Sequence, residues 1–522
     1  MTTTAEFGTG SKGARNAERR EKYHEADVVV VGAGIFGCAI AYALANQGRS
    51  VILLERWMQE PDRIVGELLQ PGGVAALKKL GLGDCLEGID AVPCYGYHVL
   101  FHKDEVIFPY PVMDGEGGVQ KGNGAENGHN SGSGRRSADG QETEKLVHRQ
   151  RPQGRSFHHG RFIGQLRKAC GRHPNISIFE TEVTRTVPSQ YTDEIVGVET
   201  QTTNKGTREK TPDCFFGQLT IIADGYASKF RKDYLPRAPV VRSKFYALEL
   251  VDCPFPPQGY GHVVIGKAMP VLLYQIGTHE TRALIDVPEK LPAASPANGG
   301  VRGYIQNVVI PALPEGVRPS VRAALADGRI PKSMPNSYLP PTRQGRHAGI
   351  ILVGDAFNMR HPLTGGGMTV AFNDAILLAE LLHPDRVPDL GTPSAIRTAM
   401  DDFYSRRKSL TSIINVLAQA LYSLFAAENR QLRALQAGCF RYFEMGITDE
   451  PVAMLGGMMR RPLTLAYHFF SVAFVAIWVN AVEVCGGSLL GLWKFPLAII
   501  DAVFILWTAS VVFLPTCWNE LK

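Results

Sequence analysis

The sequence predicts an α/β protein, with a Rossmann-type nucleotide-binding unit interleaved with a mixed β-sheet unit and followed by an apolar helical tail. Three observations predict it. Residues 27–55 read as strand, glycine-rich turn, helix and strand. Residues 175–287 carry short β-branched and aromatic runs separated by Gly and Pro turns, and residues 460–522 contain two long stretches almost free of charge.

The first stretch opens with Val28 to Val31, an unbroken apolar run that suits a strand buried on both faces of a parallel sheet. Gly32, Gly34 and Gly37 follow, then an Ala-rich helical segment from Ile35 to Asn46, then Val51 to Leu54 ending in Glu55. Gly32 permits the tight turn, Gly34 lets a pyrophosphate approach the backbone, and Gly37 lets the helix pack close to the strand. The helix N-terminus offers unpaired N–H groups to phosphate. Glu55, 18 positions after Gly37, is placed to accept hydrogen bonds from a ribose diol. An adenine dinucleotide is implied, and this stretch alone leaves NAD and FAD open.

A chain of 522 residues holds two or three structural units. Its net charge of +5 is small for this size and its basic residues are scattered, which disfavours nucleic-acid binding. The nine cysteines show no CxxC and no even spacing, so neither a disulfide framework nor a metal site is expected, and a reducing compartment fits. Residues 1–26 read as a disordered polar arm without the apolar core of a signal peptide.

After Glu55, Arg63, Glu67 and Gln70 sit where a loop would fold back over the cofactor, although polar surface residues on a loop and short helix are the reading that such residues normally favour. Helical signals return from Gly73 to Leu80 and end at Gly81 and Gly83. Residues 112–155 are a low-complexity insertion, unable to bury enough apolar area to offset the entropy of ordering. The nucleotide-binding domain therefore spans 27–111 and 156–239 together with 345–393, and a sheet domain for substrate occupies 240–344. A helical region, 394–459, has Ile413, Ile414, Leu417, Leu421, Leu424 and Phe425 at helical spacing, either as a core-facing helix or as the lining of a greasy pocket. In the tail, 460–522, Pro462 to Val482 carries no charge and Phe495 to Pro515 carries only Asp501, so each stretch is long enough to cross a bilayer or to dip into one leaflet. Trp478, Trp493, Trp507 and Trp518 favour an interface.

Two further segments bear on the cofactor. TIIADGYASKFRK, 220–232, and LVGDAFNMRHPLTGGGM, 352–368, are each an apolar strand ending in an acid beside glycine. With the first turn they resemble the three fingerprints of flavoprotein monooxygenases of the hydroxybenzoate-hydroxylase type. The resemblance implies FAD rather than NAD, with Asp224 and Gly225 near the pyrophosphate and Asp355 accepting from ribityl or ribose hydroxyls. A helix beginning near Gly366 would stabilise negative charge on the reduced ring.

EPDRIVGELLQPGG, FHHGRF, SMPNSYLPP and NVLAQALYSLF narrow this. From about Asp27 to the C-terminus, the insertion excepted, the chain resembles the squalene monooxygenase (squalene epoxidase) family in its fungal form, with Met368 after the glycines where other branches carry Asn. The resemblance implies conversion of squalene and O2 to (S)-2,3-oxidosqualene in ergosterol synthesis, with FAD and NADPH-derived electrons from the NADPH-cytochrome reductase. It implies attachment to the endoplasmic reticulum membrane, with the catalytic part facing the cytosol. FAD contacts carried over are Ile35, Phe36, Glu55, Arg56, Arg63, Leu68, Arg161, Val183, Asp355 and Met368. Tyr97, hydrogen-bonded to Gln70, would guard the passage to the flavin, and Leu421 and Phe425 would line the hydrocarbon tunnel. Squalene offers no polar handle, so its pocket should be apolar and its supply lipid. Two rivals share parts of this signature: a polyprenyl reductase, and a non-catalytic prenyl-binding protein that keeps the dinucleotide fold.

Overall fold

The computed structural model describes residues 24–102, 104–114, 117–120, 151–266, 269–326, 331–486 and 493–521. Most of the polar arm expected at 1–26 lies outside the described residues, as does most of the insertion expected at 112–155, of which 112–114, 117–120 and 151–155 are described.

The first sheet is built around β1 (Glu25–Val31), which pairs in parallel with β2 (Val51–Glu55) on one side and β11 (Lys210–Ile222) on the other. β8 (Ile176–Glu180) extends it beyond β2, and β17 (Ile350–Leu352) pairs in parallel with β11. β10 (Ile195–Thr203) and β9 (Glu182–Pro188) continue it as antiparallel strands. Val28 to Val31 and Val51 to Leu54 are all buried, as strands covered on both faces must be. Register places Val31 opposite Leu54 and Ile222, and Ile222 opposite Leu352. All three acid-and-glycine turns therefore leave the same edge, at the carboxyl ends of the parallel strands where ligands bind in open α/β sheets.

Helix α1 (Ile35–Asn46) follows β1 closely because Gly37 has no side chain: a Cβ there would lie 1.8 Å from the Gly32 carbonyl oxygen. Gly32 itself has φ +102°, and a Cβ would meet the Ala223 carbonyl oxygen at 2.5 Å. Helix α2 spans Pro71–Lys79, starting earlier than glycine punctuation suggests because Pro71 sits favourably in its first turn. Helix α3 spans His159–Arg172, and α5 (Gly367–Leu381) packs on α1 and α2.

The second sheet runs β16 (Lys332–Tyr338), β12 (Val240–Val251), β15 (Glu280–Pro288), β14 (Val271–Gln275), β13 (Tyr260–Ile265), β5 (Gly96–Phe101) and β6 (Asp104–Pro109). The boundary expected at residue 111 is therefore misplaced: β5 and β6 belong here, with β5 paired in parallel with β13. Side chains alternate between faces. Val99, Phe108, Phe245, Leu272 and Leu284 face the nucleotide-binding body, while Leu248, Leu250, Val264, Leu273 and Ile285 face helices between residues 300 and 325, including α4 (Arg318–Leu325). A small sheet of β3 (Leu68–Leu69), β7 (Gly154–Ser156) and β4 (Val92–Cys94) ties the two together where sequence order suggested only loop.

Helices α6 (Pro393–Arg406), α7 (Lys408–Ala426), α8 (Arg430–Glu444) and α9 (Asp449–Leu455) lead to the tail, α10 (Pro462–Cys485) and α11 (Phe495–Leu521). The tail helices pair with each other, and α8 crosses α10 so closely that a Cβ on Gly438 would lie 2.4 Å from that of Ala476. One face of the pair is core: Ala473, Ala476, Ile505 and Ala509 are buried against α7 and α8. The opposite face bares Leu463, Tyr467, Phe474, Trp478 and Val482 on α10, and Trp507, Val511, Leu514 and Trp518 on α11. Both helices are long and apolar enough to cross a membrane. Helix α7 meets the same length and hydropathy, but most of it is buried inside the protein.

Candidate active site

A single cavity lies between the carboxyl edge of the first sheet and the inner face of the second. Gly34, Ile35 and Phe36 line it from the first turn, Ala223 and Gly225 from the second, and Gly354, Asp355, Gly365 and Met368 from the third. Arg63, Leu68 and Tyr97 close one side, and Val263, Leu272, Tyr274, Leu284 and Met334 form the apolar wall opposite.

Glu55 is held at the end of β2 by three partners. Its Oε2 accepts from the Ala33 N–H at 2.8 Å and lies 3.2 Å from Arg167 Nη2, and its Oε1 accepts from the Trp57 N–H at 3.2 Å. Arg167 went unremarked in the sequence. It is buried on α3, where it also donates to the carbonyl oxygens of Ala33, Trp57 and Gln59, clamping the nucleotide turn to the chain after β2. A guanidinium with five donors suits this many carbonyl and carboxylate acceptors. Only its place on the inner face of an amphipathic helix could have signalled it.

Among the described residues, several buried polar atoms have no partner: Arg63 Nε, Thr364 Oγ1 and the Tyr97 hydroxyl at the cavity, and Asp224 Oδ1 between the lining residues Ala223 and Gly225. Arg63 Nη2 lies 3.7 Å from Asp355 Oδ2, and its guanidinium sits over the Tyr226 ring. Burial pushes the Asp224 carboxyl up; the Lys229 N–H, which donates to Asp224 Oδ2 at 3.3 Å, opposes that rise, and the Ser228 hydroxyl lies near enough to temper it without completing a hydrogen bond. Glycines permitting close approach, unpaired polar groups and the N-terminus of α5, which starts one residue after Gly366, fit a bound dinucleotide.

Other expected residues stand elsewhere. Arg56 is exposed and Val183 is buried within β9. Arg161 leans toward Asp90, 3.9 Å away, and neither it, Arg56 nor Val183 lines the cavity. Gly366 faces away from it: a Cβ there would meet Ile414 of α7 at 2.5 Å. Leu421 and Phe425 do not line the cavity but pack against the apolar cluster behind its wall.

The Tyr97–Gln70 hydrogen bond is corrected. Gln70 Oε1 accepts from Tyr110, a fully buried residue absent from the sequence reading, and Gln70 Nε2 donates to the Thr364 carbonyl at 2.8 Å. Tyr97 stacks edge-on against Tyr110, with ring centroids 5.7 Å apart. Burial pushes the Tyr97 hydroxyl pKa up; Tyr110 and Gln70 lie near enough to temper that rise, but neither completes a hydrogen bond with it.

Glu67 is likewise no surface residue. It is 1% exposed, lines the cavity, and accepts two hydrogen bonds at 2.8 Å from Arg282 in the middle of β15 and one at 3.3 Å from Tyr274. Burial raises its pKa, and Arg282 opposes that rise.

Beyond the cavity wall, Asp286 is fully buried. It accepts from Ser243 and from Asn336 at 2.9 Å, and His361 Nε2 lies 3.9 Å away. Burial raises Asp286 to about 6 and lowers His361 to about 3. His361 Nδ1 in turn accepts from the Leu363 N–H at 3.3 Å and so shapes the turn that enters α5.

Comparison with known proteins agrees with this geometry. A squalene epoxidase family model matches residues 216–493, and an FAD dependent oxidoreductase model matches residues 27–266. The chain is 64% identical to Squalene epoxidase ERG1 of Gibberella zeae, over 96% of this chain and 97% of that one. It is 38% identical to Squalene epoxidase ERG1 of Saccharomyces cerevisiae, over 95% of this chain and 96% of that one. Among solved structures, p-nitrophenol 4-monooxygenase PnpA of Pseudomonas putida superposes with a TM-score of 0.58 at 18% identity, covering 83% of this chain and 98% of that one. PqsL of Pseudomonas aeruginosa gives a TM-score of 0.55 at 19% identity, covering 78% of this chain and 98% of that one. These last two likenesses establish the fold, and the family models identify the cofactor as FAD.

Proposed function

The chain belongs to the squalene epoxidase family, and from that premise we propose how its residues carry out epoxidation of squalene to (S)-2,3-oxidosqualene in sterol synthesis. The supporting observation is one cavity that runs from three nucleotide-binding turns to the apolar inner face of the second sheet. Squalene, O2, two electrons and two protons give the epoxide and water: one oxygen atom adds across the alkene π-bond and the other leaves as water. Bound FAD, reduced by electrons that originate in NADPH, supplies the activation of O2.

The protein's own share is placement and exclusion of water. The Gly32–Gly37 turn, Glu55, Arg63, Asp224 and Asp355 hold the cofactor, with Ile35, Phe36, Leu68 and Met368 against it. Val263, Leu272, Leu284 and Met334 present a dry wall to a hydrocarbon with no polar group. Tyr97 stands at the junction of the two regions, where it gates passage while Gln70, through Tyr110, holds the wall behind it. Leu421 and Phe425 shape the hydrocarbon end from behind the lining. Arg56, Arg161 and Val183 act at the periphery. The bare apolar face of α10 and α11 supports membrane attachment, from which squalene enters; the endoplasmic reticulum, the cytosolic orientation and an NADPH-cytochrome reductase as electron donor complete the reading.

The test is incubation of purified protein with NADPH, the reductase and squalene under ¹⁸O2. Oxidosqualene carrying one ¹⁸O is expected. Saturation of a polyprenyl chain without oxygen incorporation would point to the reductase reading, and a colourless preparation that retains no FAD would point to a non-catalytic binder.

A further inference from the structure

A second cleft of about 820 Å³ opens on the other side of α5, between α2, the α6–α7 junction and the segment entering the tail. Its charge is one-sided. Glu380 accepts from Arg406 at 3.0 Å and Asp374 accepts from Arg407, so these four cancel in pairs. Lys79, Arg151 and Arg460 remain, and among the described residues no carboxylate forms an ion pair with them. Among the described residues, Arg151 donates to the Tyr110 carbonyl, at 3.1 Å, and Arg460 to the Asn373 side-chain oxygen, at 2.6 Å. Each guanidinium keeps further donors for another acceptor.

The wall between these cations is apolar, formed by Ala76, Met113, Ile376, Leu377 and Met458. Three surplus positive charges over an apolar wall match an anion with a short hydrocarbon stem. Position fits as well: Arg460 stands two residues before α10, whose outward side chains Leu463 and Tyr467 are among the most exposed apolar groups of the molecule. We propose that this cleft binds the phosphate of an anionic phospholipid, with Lys79, Arg151 and Arg460 as its ligands and the apolar wall receiving the first acyl methylenes. A free phosphate shares the charge but has no use for the wall, and a zwitterionic lipid carries its own cation into a site already positive.

Calorimetric titration of the full-length holoprotein in neutral detergent tests this with three probes: dihexanoyl phosphatidic acid, dihexanoyl phosphatidylcholine and inorganic phosphate. Phosphatidic acid is expected to bind tightest, and Arg151→Gln and Arg460→Gln each to weaken it about tenfold, the size of one charge-assisted hydrogen bond. Arg151→Lys and Arg460→Lys should retain most of the affinity, and FAD content should be unchanged in every variant. Should a glutamine variant lose FAD, Lys79→Gln on the exposed rim gives the same reading without disturbing buried contacts. Undiminished binding by the Arg151→Gln/Arg460→Gln double variant would overturn the site. Equal affinity for inorganic phosphate or for phosphatidylcholine would overturn the lipid assignment.

Discussion

The Tyr110 hydroxyl donates to Gln70 Oε1 at 2.5 Å, and Gln70 passes the connection to the Thr364 carbonyl, so a tyrosine of the second sheet's edge is tied to the turn before α5. Tyr97, beside it, keeps an unpaired hydroxyl. The two tyrosines should therefore respond differently to the same change. Tyr110→Phe leaves Gln70 Oε1 buried and unsatisfied and should lower stability by about 1–3 kcal/mol. Tyr97→Phe should leave both stability and FAD content near wild type while turnover falls. Urea denaturation beside single-turnover kinetics separates them, and loss of flavin on Tyr97→Phe would remove its gating role.

Glu67 and Arg282 form a buried pair in the cavity wall. Glu67→Ala leaves the buried Arg282 guanidinium to the half-exposed Glu249, 3.3 Å away, and should destabilise by about 3 kcal/mol, whereas the double change Glu67→Ala/Arg282→Met should recover much of that loss. A double-mutant cycle by chemical denaturation checks both. Additive losses would mean that the two groups do not depend on each other.

Asp286 gives a pH dependence. Its folded-state value, about 6, lies above the ordinary 3.8, so the fold favours the protonated acid. The associated stability is complete below about pH 4 and is lost as pH rises through 6. Two units correspond to about 3 kcal/mol. Asp286→Asn should therefore flatten the fall in unfolding free energy between about pH 4 and 6 relative to wild type. Parallel curves for the two proteins would count against the assignment.

The tail gives a fourth expectation. Deleting residues 460–522 would release the protein from membranes, but it would also strip cover from Leu424, Leu435 and Cys439 and so confound the result. Replacing only the outward Leu463, Tyr467 and Phe474 by serine avoids this. With about 1.5–3 kcal/mol for each apolar side chain withdrawn from lipid, vesicle partitioning should fall more than a hundredfold at unchanged thermal stability. Unaltered co-sedimentation would place membrane attachment on another surface.

Gly37→Ala puts a methyl group 1.8 Å from the Gly32 oxygen. The helix would have to move away from β1, and the expected result is protein that no longer retains FAD, read from its absorption spectrum.

Much of the first sheet was legible because its signals are local: Val28–Val31, the three glycines and Glu55 are contiguous, and their turn chemistry is self-contained. The second sheet was legible as strands but not as topology, since nothing near Gly96–Phe101 says that its partner is β13, far along the chain. The buried roles of Glu67 and Arg167 were hidden for a related reason. A charged residue reads as solvated until its partner is known, and Arg282 and Glu55 are brought to them only by the fold. Leu421 and Phe425 showed the right polarity and period, but periodicity reports which face is buried and not which layer of a wall a side chain occupies.

The placement of β5 and β6 reaches beyond the site. Their sheet is finished only by strands that begin at Val240, after most of the nucleotide-binding layer has already been threaded between. Neither layer can close its hydrogen-bond ladder from a contiguous piece of polypeptide, so no cut in the chain yields two self-sufficient halves. A truncation that removes the strands of one layer therefore leaves the other with an unfinished edge, so grip on the cofactor and shape of the hydrocarbon chamber cannot be inherited by separate pieces.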